Sequence, residues 1–128
     1  MTDEHLVQRA LEVRGNSYSP YSKFAVSAAI LSSSGEVFTG VNVENASFGL
    51  TMCAERVAIA TAVAAGVQSF EKIAVVVKGG GSPCGACRQV LNEFSPKLRV
   101  LIADESGELV RSVSLTDLLP DAFGPHSL

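Results

Sequence analysis

The stretch KIAVVVK, Lys72 to Lys78, constrains the fold of this chain more than any other, because an unbroken apolar run rich in β-branched residues stands between two lysines. A strand with one solvated face alternates apolar and polar residues, so such a run marks a strand covered on both faces. Helices must then lie on each side of a sheet, and the flanking segments supply them. Upstream, TMCAERVAIATAVAA (51–65) contains no Gly or Pro, is apolar almost all round beyond Arg56, and is closed by Gly66, which predicts a helix buried on most faces. Downstream, GACRQVLNEF places Val90, Leu91 and Phe94 at helical spacing, and LRVLIA reads as a further short strand. Strand, helix and strand in that length suit a right-handed crossover between parallel strands.

The rest of the chain fills out the same plan. Leu6, Val7, Ala10, Leu11 and Arg14 recur at helical spacing behind Thr2, and Gly15 suits a left-handed stop. The polar loop NSYSPYSKF leads into FAVSAAIL, which with EVFTGVN predicts a β-hairpin across SSSGE. ELVRSV reads as a weaker last strand, and Ser114 followed by Asp117 predicts a capped turn that Pro120 keeps short. Helices alternating with strands after an initial hairpin argue an α/β layered domain with a mixed sheet, and one domain over residues 1–128 fits the length and the absence of repeats or linkers.

Charge removes several function classes. Ten Lys and Arg stand against 13 Asp and Glu with no run of like charge, so no footprint for a nucleic-acid polymer is present. No segment reaches the roughly 18 apolar residues of a membrane span, and the sequence reads as a cytoplasmic protein. Gly79, Gly80 and Gly81 lack the G-K-[ST] ending of a phosphate loop and read as a mobile loop.

Three cysteines remain: Cys53, Cys84 and Cys87. The C-x-x-C pair alone is compatible with a redox dithiol, with half of a structural zinc knuckle, or with part of a catalytic metal site completed from elsewhere. Cys53 opens one expected helix and the pair opens another, so helices packed on one sheet can bring the three sulfurs together. A helix N-terminus favours the thiolate, the form that binds metal, and zinc suits sulfur-rich ligation. Structural zinc sites close with four protein ligands, whereas catalytic ones use three and leave a position open. His5 and His126, at the chain ends, sit outside any ligand-spaced motif. Glu55 lies two residues from Cys53, where a first-turn acid is favoured by the helix dipole alone. Beside a metal site it can also carry protons as general acid and base. Zinc with three thiolates is formally anionic, and Arg56 and Arg88, each next to a motif residue, are candidates to hydrogen-bond sulfur and offset that charge.

With CAE and PCGAC in view, the sequence resembles the zinc-dependent cytidine deaminases of the short, homotetrameric kind. YSPYSKFAV, TGVNVENASFGLTMCAERVAIA, SPCGACRQVLNEF and LLPDAFGP occur in the family's order over nearly the whole chain. The resemblance implies a three-layer α/β/α fold with a mixed five-stranded sheet and one Zn2+ per chain on Cys53, Cys84 and Cys87. It implies that Glu55 shuttles protons as a zinc-activated water attacks C4 of the pyrimidine and ammonia leaves, a chemistry general to zinc deaminases. It further implies a nucleoside substrate contacted by Phe24, Asn42, Glu44 and Ala54, with Asn42 and Glu44 on the ribose hydroxyl. Phe123 is expected to reach over the pyrimidine of a neighbouring subunit in a homotetramer. Ser27, Val41 and Phe48 depart from residues frequent in the family (Gly, Cys and Tyr) while every catalytic position is retained. The expected reaction is deamination of cytidine and 2'-deoxycytidine in pyrimidine salvage. Its rivals are deamination of a cytosine nucleoside antibiotic of the blasticidin S type, a non-catalytic zinc-stabilised module, and polynucleotide editing.

Overall fold

The computed structural model describes residues 1–128, and its centre is a five-stranded sheet in the order β2-β1-β3-β4-β5. The strands are β1 (Val26–Ser32), β2 (Val37–Val41), β3 (Phe70–Val77), β4 (Arg99–Ala103) and β5 (Leu109–Ser114). Only β3 and β4 run parallel; β1 pairs antiparallel with both β2 and β3, and β4 antiparallel with β5. The sheet is therefore mixed, and its one parallel pair is joined through a helix, because a parallel return needs a long crossover.

Period-two alternation divides the core. Ala28 and Ile30 of β1, Ile73, Val75 and Val77 of β3, and Val100 and Ile102 of β4 point to one side. There they meet α2 (Ala54–Ala64), α3 (Gly85–Phe94) and Leu115 of the short α4 (Leu115–Leu118). Ala29, Leu31, Ala74, Val76, Leu101 and Ala103 point to the other side, against Leu6, Val7 and Ala10 of α1 (Asp3–Val13). β3 is central and covered twice, which explains why its sequence does not alternate. The result is the expected three-layer α/β/α sandwich. Each fully buried aliphatic side chain contributes about 1.5–3 kcal/mol by leaving water, so both faces are needed to stabilise the sheet.

Element ends depart from expectation at three places. Gly15 is not left-handed: α1 stops at Val13 and tightens into a 3-10 turn over Arg14–Asn16, whose φ values stay negative. The helix expected from Thr51 starts at Ala54, because Met52 instead pairs with Val43 through two backbone hydrogen bonds of 2.9 Å. That bridge holds the chain extended up to Cys53, so Cys53 becomes the N-cap. At α4 the Ser114 hydroxyl accepts from the Thr116 N–H, two residues on, leaving Asp117 outside the cap. Gly66, by contrast, does close α2 with φ of 89°.

Candidate metal centre and substrate cleft

Cys53 and Cys84 occupy equivalent places. Each is the N-cap of its helix, with extended backbone angles (φ −73°, ψ 152° and φ −66°, ψ 168°), and neither side chain caps its own helix. N-caps are usually Ser, Thr, Asp or Asn, whose oxygen accepts a first-turn N–H. A cysteine at both positions, each uncommitted to the helix, leaves two sulfurs free for another partner. Cys87, buried in the first turn of α3, adds the third.

The Sγ atoms of Cys53 and Cys84 lie 3.9 Å apart and those of Cys84 and Cys87 3.5 Å, with all three within 4.8 Å of one another. Zn–S bonds of about 2.3 Å in a tetrahedron require sulfurs about 3.8 Å apart, close to the Cys53–Cys84 and Cys84–Cys87 separations, so the donor set fits zinc. The protonation pattern fits as well. The adjacent Cys87 thiol, with Arg56 and Cys84, draws the Cys53 thiol down to about 5. Cys87 is pushed up by that same Cys53 neighbour, by burial and by Glu55. Three crowded sulfurs cannot all carry charge alone, whereas a divalent cation replaces their protons together.

Around the sulfurs stands a cleft of about 350 Å³, lined among others by Phe24, Asn42, Ala54, Glu55, Lys78 and Ser82, together with Cys53 and Cys84. That volume is of small-ligand size. Glu55 is only 4% exposed, and burial first, then the Cys53 charge, raises its carboxyl above the ordinary range. Burial thus favours its neutral form, the direction that suits a group passing protons to a ring nitrogen. Ala54 contributes backbone, its N–H being one of the first-turn amides with no partner inside α2.

Of the two arginines, Arg56 donates from Nη2 to Cys53 Sγ at 3.4 Å. Arg88 touches no sulfur. It donates to the carbonyls of Pro83 (2.7 Å) and Leu118 (2.8 Å) and to the Ser82 hydroxyl (2.6 Å), so it braces the turn carrying Cys84 against α4. Adjacency in sequence misleads here, because successive helical residues point 100° apart.

The polar residues upstream divide between two places. Asn42 lines the cleft and is nearly saturated: Oδ1 accepts from the Val26 N–H at 3.0 Å and from the Ser17 hydroxyl, and Nδ2 donates to the Phe24 carbonyl at 2.8 Å. One amide hydrogen is left for a ligand. Glu44 lines a neighbouring cleft with Tyr21, Ser22 and Phe48, joined to the first through the shared wall residue Thr51. The Ser22 hydroxyl and the N–H groups of Ser22 (3.1 Å) and Tyr21 (3.0 Å) bond its carboxylate and lower its pKa, keeping it charged. Phe123 lies outside both clefts, 61% exposed, its carbonyl accepting from Gln89 Nε2 at 2.8 Å and Asn92 Nδ2 at 3.4 Å. His5 and His126 take no part in the sulfur cluster.

Sequence reasoning missed Ser17 and Ser22, which orient Asn42 and Glu44, and Lys78 and Ser82 on the cleft wall. The two serines sit in the polar loop NSYSPYSKF, where nothing local announces partners more than 20 residues away.

A family model for the cytidine and deoxycytidylate deaminase zinc-binding region matches residues 1–103. The chain belongs to this deaminase family. It is 41% identical to a cytidine deaminase of Sporosarcina psychrophila, over 100% of this chain and 96% of that one. It is 46% identical to one of Mycobacterium tuberculosis, over 93% and 87%. A crystal structure of cytidine deaminase from Burkholderia pseudomallei superposes with a TM-score of 0.91 at 48% identity, covering 96% of this chain and 100% of that chain. As a deaminase of this family the chain is a zinc enzyme, a hydrolase acting on C–N bonds, and its sulfur cluster fits one zinc per chain.

Proposed function

We propose that residues 1–128 form one catalytic domain that hydrolyses cytidine and 2'-deoxycytidine to the uridine forms and ammonia. The observation that carries this reading is a buried carboxyl, Glu55, lining the same cleft as Cys53 and Cys84, whose sulfurs cluster with that of Cys87 within 4.8 Å. Cys53, Cys84 and Cys87 would hold the zinc, which supplies a Lewis acid that makes water acidic enough to act as nucleophile at neutral pH. Glu55 would take a proton from the attacking water, deliver it to N3 of the pyrimidine, and carry a second to the departing amine. Water adds its oxygen to C4, the C4–N bond breaks, and ammonia leaves, so atoms and charge balance. Arg56, donating to Cys53, withdraws electron density from the thiolate and offsets the anionic ligand set.

Phe24 packs on the nucleoside from the cleft wall. Asn42, with its one spare amide hydrogen, donates to a ribose hydroxyl, and the charged Glu44 accepts from one across Thr51. A site made this way disfavours the free base, which offers no ribose hydroxyl to the spare Asn42 amide hydrogen or to the charged Glu44. Phe123 completes the cleft of a neighbouring subunit in a homotetramer. Supporting this are its exposure beyond its own cleft and an apolar groove across α2 and α3 lined by Met52, Ile59, Val63, Val90 and Phe94. No helix is long and apolar enough to cross a membrane; the physiological setting we assign is cytoplasmic pyrimidine salvage.

Ammonia release from a panel of cytidine, 2'-deoxycytidine, cytosine, blasticidin S and a cytosine-containing oligonucleotide tests the assignment. The two nucleosides are expected to turn over, and the free base to be poor. Fast turnover of blasticidin S with none of cytidine would replace the substrate assignment.

A further inference from the structure

Gly40 lies on β2 directly beneath the first turn of α2, buried and paired in register with Ala28 of β1. A Cβ at this position would stand 2.5 Å from the Ala54 carbonyl oxygen, 2.5 Å from the Ala58 nitrogen and 3.0 Å from the Ala58 Cα. All three are backbone atoms, and the first two are the acceptor and donor sites of one helical turn. No rotamer change relieves such a contact. The helix face here is small throughout, with Ala54, Ala58 and Ala62 all fully buried, so the helix rests on the sheet by its backbone.

That turn is also where the chemistry starts. Cys53 precedes Ala54 and Glu55 follows it, whereas Cys84 and Cys87 belong to α3, which joins β3 to β4, packs Leu91 among their core residues and touches α2 along its side. The height of α2 above β2 therefore sets the separation of Cys53 from the other two sulfurs. Restoring ordinary contact with an added methyl group needs a shift of roughly 1 Å, since non-bonded carbon contacts settle near 3.5–4.0 Å. Metal–ligand distances tolerate only about 0.2 Å. β2 is held by its ladder to β1, which β3 pairs on the other side, so the first turn of α2 is the part that gives way.

We infer that Gly40 is a positioning residue for the zinc site: the absence of its side chain lets α2 settle at the height that brings Cys53 within bonding range of the metal held by Cys84 and Cys87. The inference rests on the assignment of those three cysteines as zinc ligands.

The test compares Gly40→Ala with Ile30→Ala, which loosens the same helix–sheet interface from β1 by leaving a cavity and pushes nothing. Zinc affinity is measured by competition with a chromogenic chelator on folded apoproteins, alongside the thiolate-to-metal charge-transfer spectrum after cobalt substitution. Gly40→Ala is expected to lose about 10- to 100-fold in zinc affinity, the range for residues that support metal ligands, and to show a weakened thiolate band. Ile30→Ala is expected to keep both. Equal affinities in the two variants overturn the inference, and so does a Gly40→Ala variant with unchanged affinity and only a raised KM, which would mean that β2 moved, carrying Asn42. Should Gly40→Ala fail to persist as a folded apoprotein, zinc release from the loaded variants into excess chelator is the readout. Release at least tenfold faster than from Ile30→Ala supports the inference, and equal release overturns it. Wild-type protein that takes up no zinc would instead refute the ligand assignment beneath it.

Discussion

On one face of the sheet α1 sets Leu6, Val7 and Ala10 against Ala29, Ala74 and Leu101; on the other, α2 and α3 set Ala58, Ile59 and Leu91 against Ala28, Ile73 and Val100. The packing is alike, but the helix ends differ. At α1 the Thr2 hydroxyl accepts from the His5 N–H at 3.1 Å, and Asp3 in the first turn pairs with Lys72 at 2.7 Å, so the polar groups of that end are committed to structure. At α2 and α3 the capping positions carry cysteines that cap nothing, and the first-turn acid, Glu55, is buried in a cleft instead of paired at the surface. A helix end whose cap serves its own amides stabilises the fold, and one whose cap is released can serve a ligand.

The largest expected effect lies on the second face. Glu55→Gln should keep one zinc per chain and lose at least about 10²–10⁴-fold in kcat, the usual worth of a proton-transfer group. Metal content and turnover measured together check it, and retained turnover would break the contrast by making Glu55 one more first-turn acid. On the first face Leu6→Ala, at a fully buried site, should lower unfolding free energy by about 2–5 kcal/mol while leaving kcat of the folded enzyme unchanged. Denaturant titration and kinetics on the same protein decide this; a matching fall in kcat would mean that α1 shapes the cleft after all.

Glu44→Gln should raise KM for cytidine about tenfold or more and affect a 3'-deoxy analogue less, because a charge-assisted hydrogen bond to the ribose is lost. The smallest effect is structural and far from the cleft. Asp104 accepts from the Ser106 hydroxyl and from the N–H groups of Ser106 and Glu108, contacts that hold its carboxyl below the usual range. A depressed folded-state pKa stabilises the fold above the unfolded value, near 3.9 for Asp, and that stability is lost as pH falls through the folded value. Asp104→Asn should therefore unfold at lower denaturant than wild type at neutral pH, with the gap closing in acid.

Much of this was legible in the sequence for identifiable reasons. The run KIAVVVK announced a doubly covered strand, and the crossover β3-α3-β4 followed from one helical period between two apolar runs. The sulfurs were legible because C-x-x-C and CAE are local. What stayed hidden depends on contacts across the fold. The Val43–Met52 bridge, which delays α2 until Ala54, joins segments that local propensity cannot relate. Arg88 looked like a partner for sulfur because it follows Cys87, yet the helical turn directs it to Pro83, Ser82 and Leu118. Glu44, two residues from Asn42, turns into a separate cleft. Gly40 gave no signal at all, since the backbone it must admit lies 14 and 18 residues along the chain, at Ala54 and Ala58.

The central claim is that the chain's three thiolates hold a zinc on which nucleoside deamination depends. Zinc content and cytidine turnover, measured on one preparation as isolated, after chelation and after zinc is restored, test it most directly. About one zinc per chain, loss of turnover with its removal and recovery with its return are the expected results. Full turnover of cytidine by metal-free protein would contradict the account.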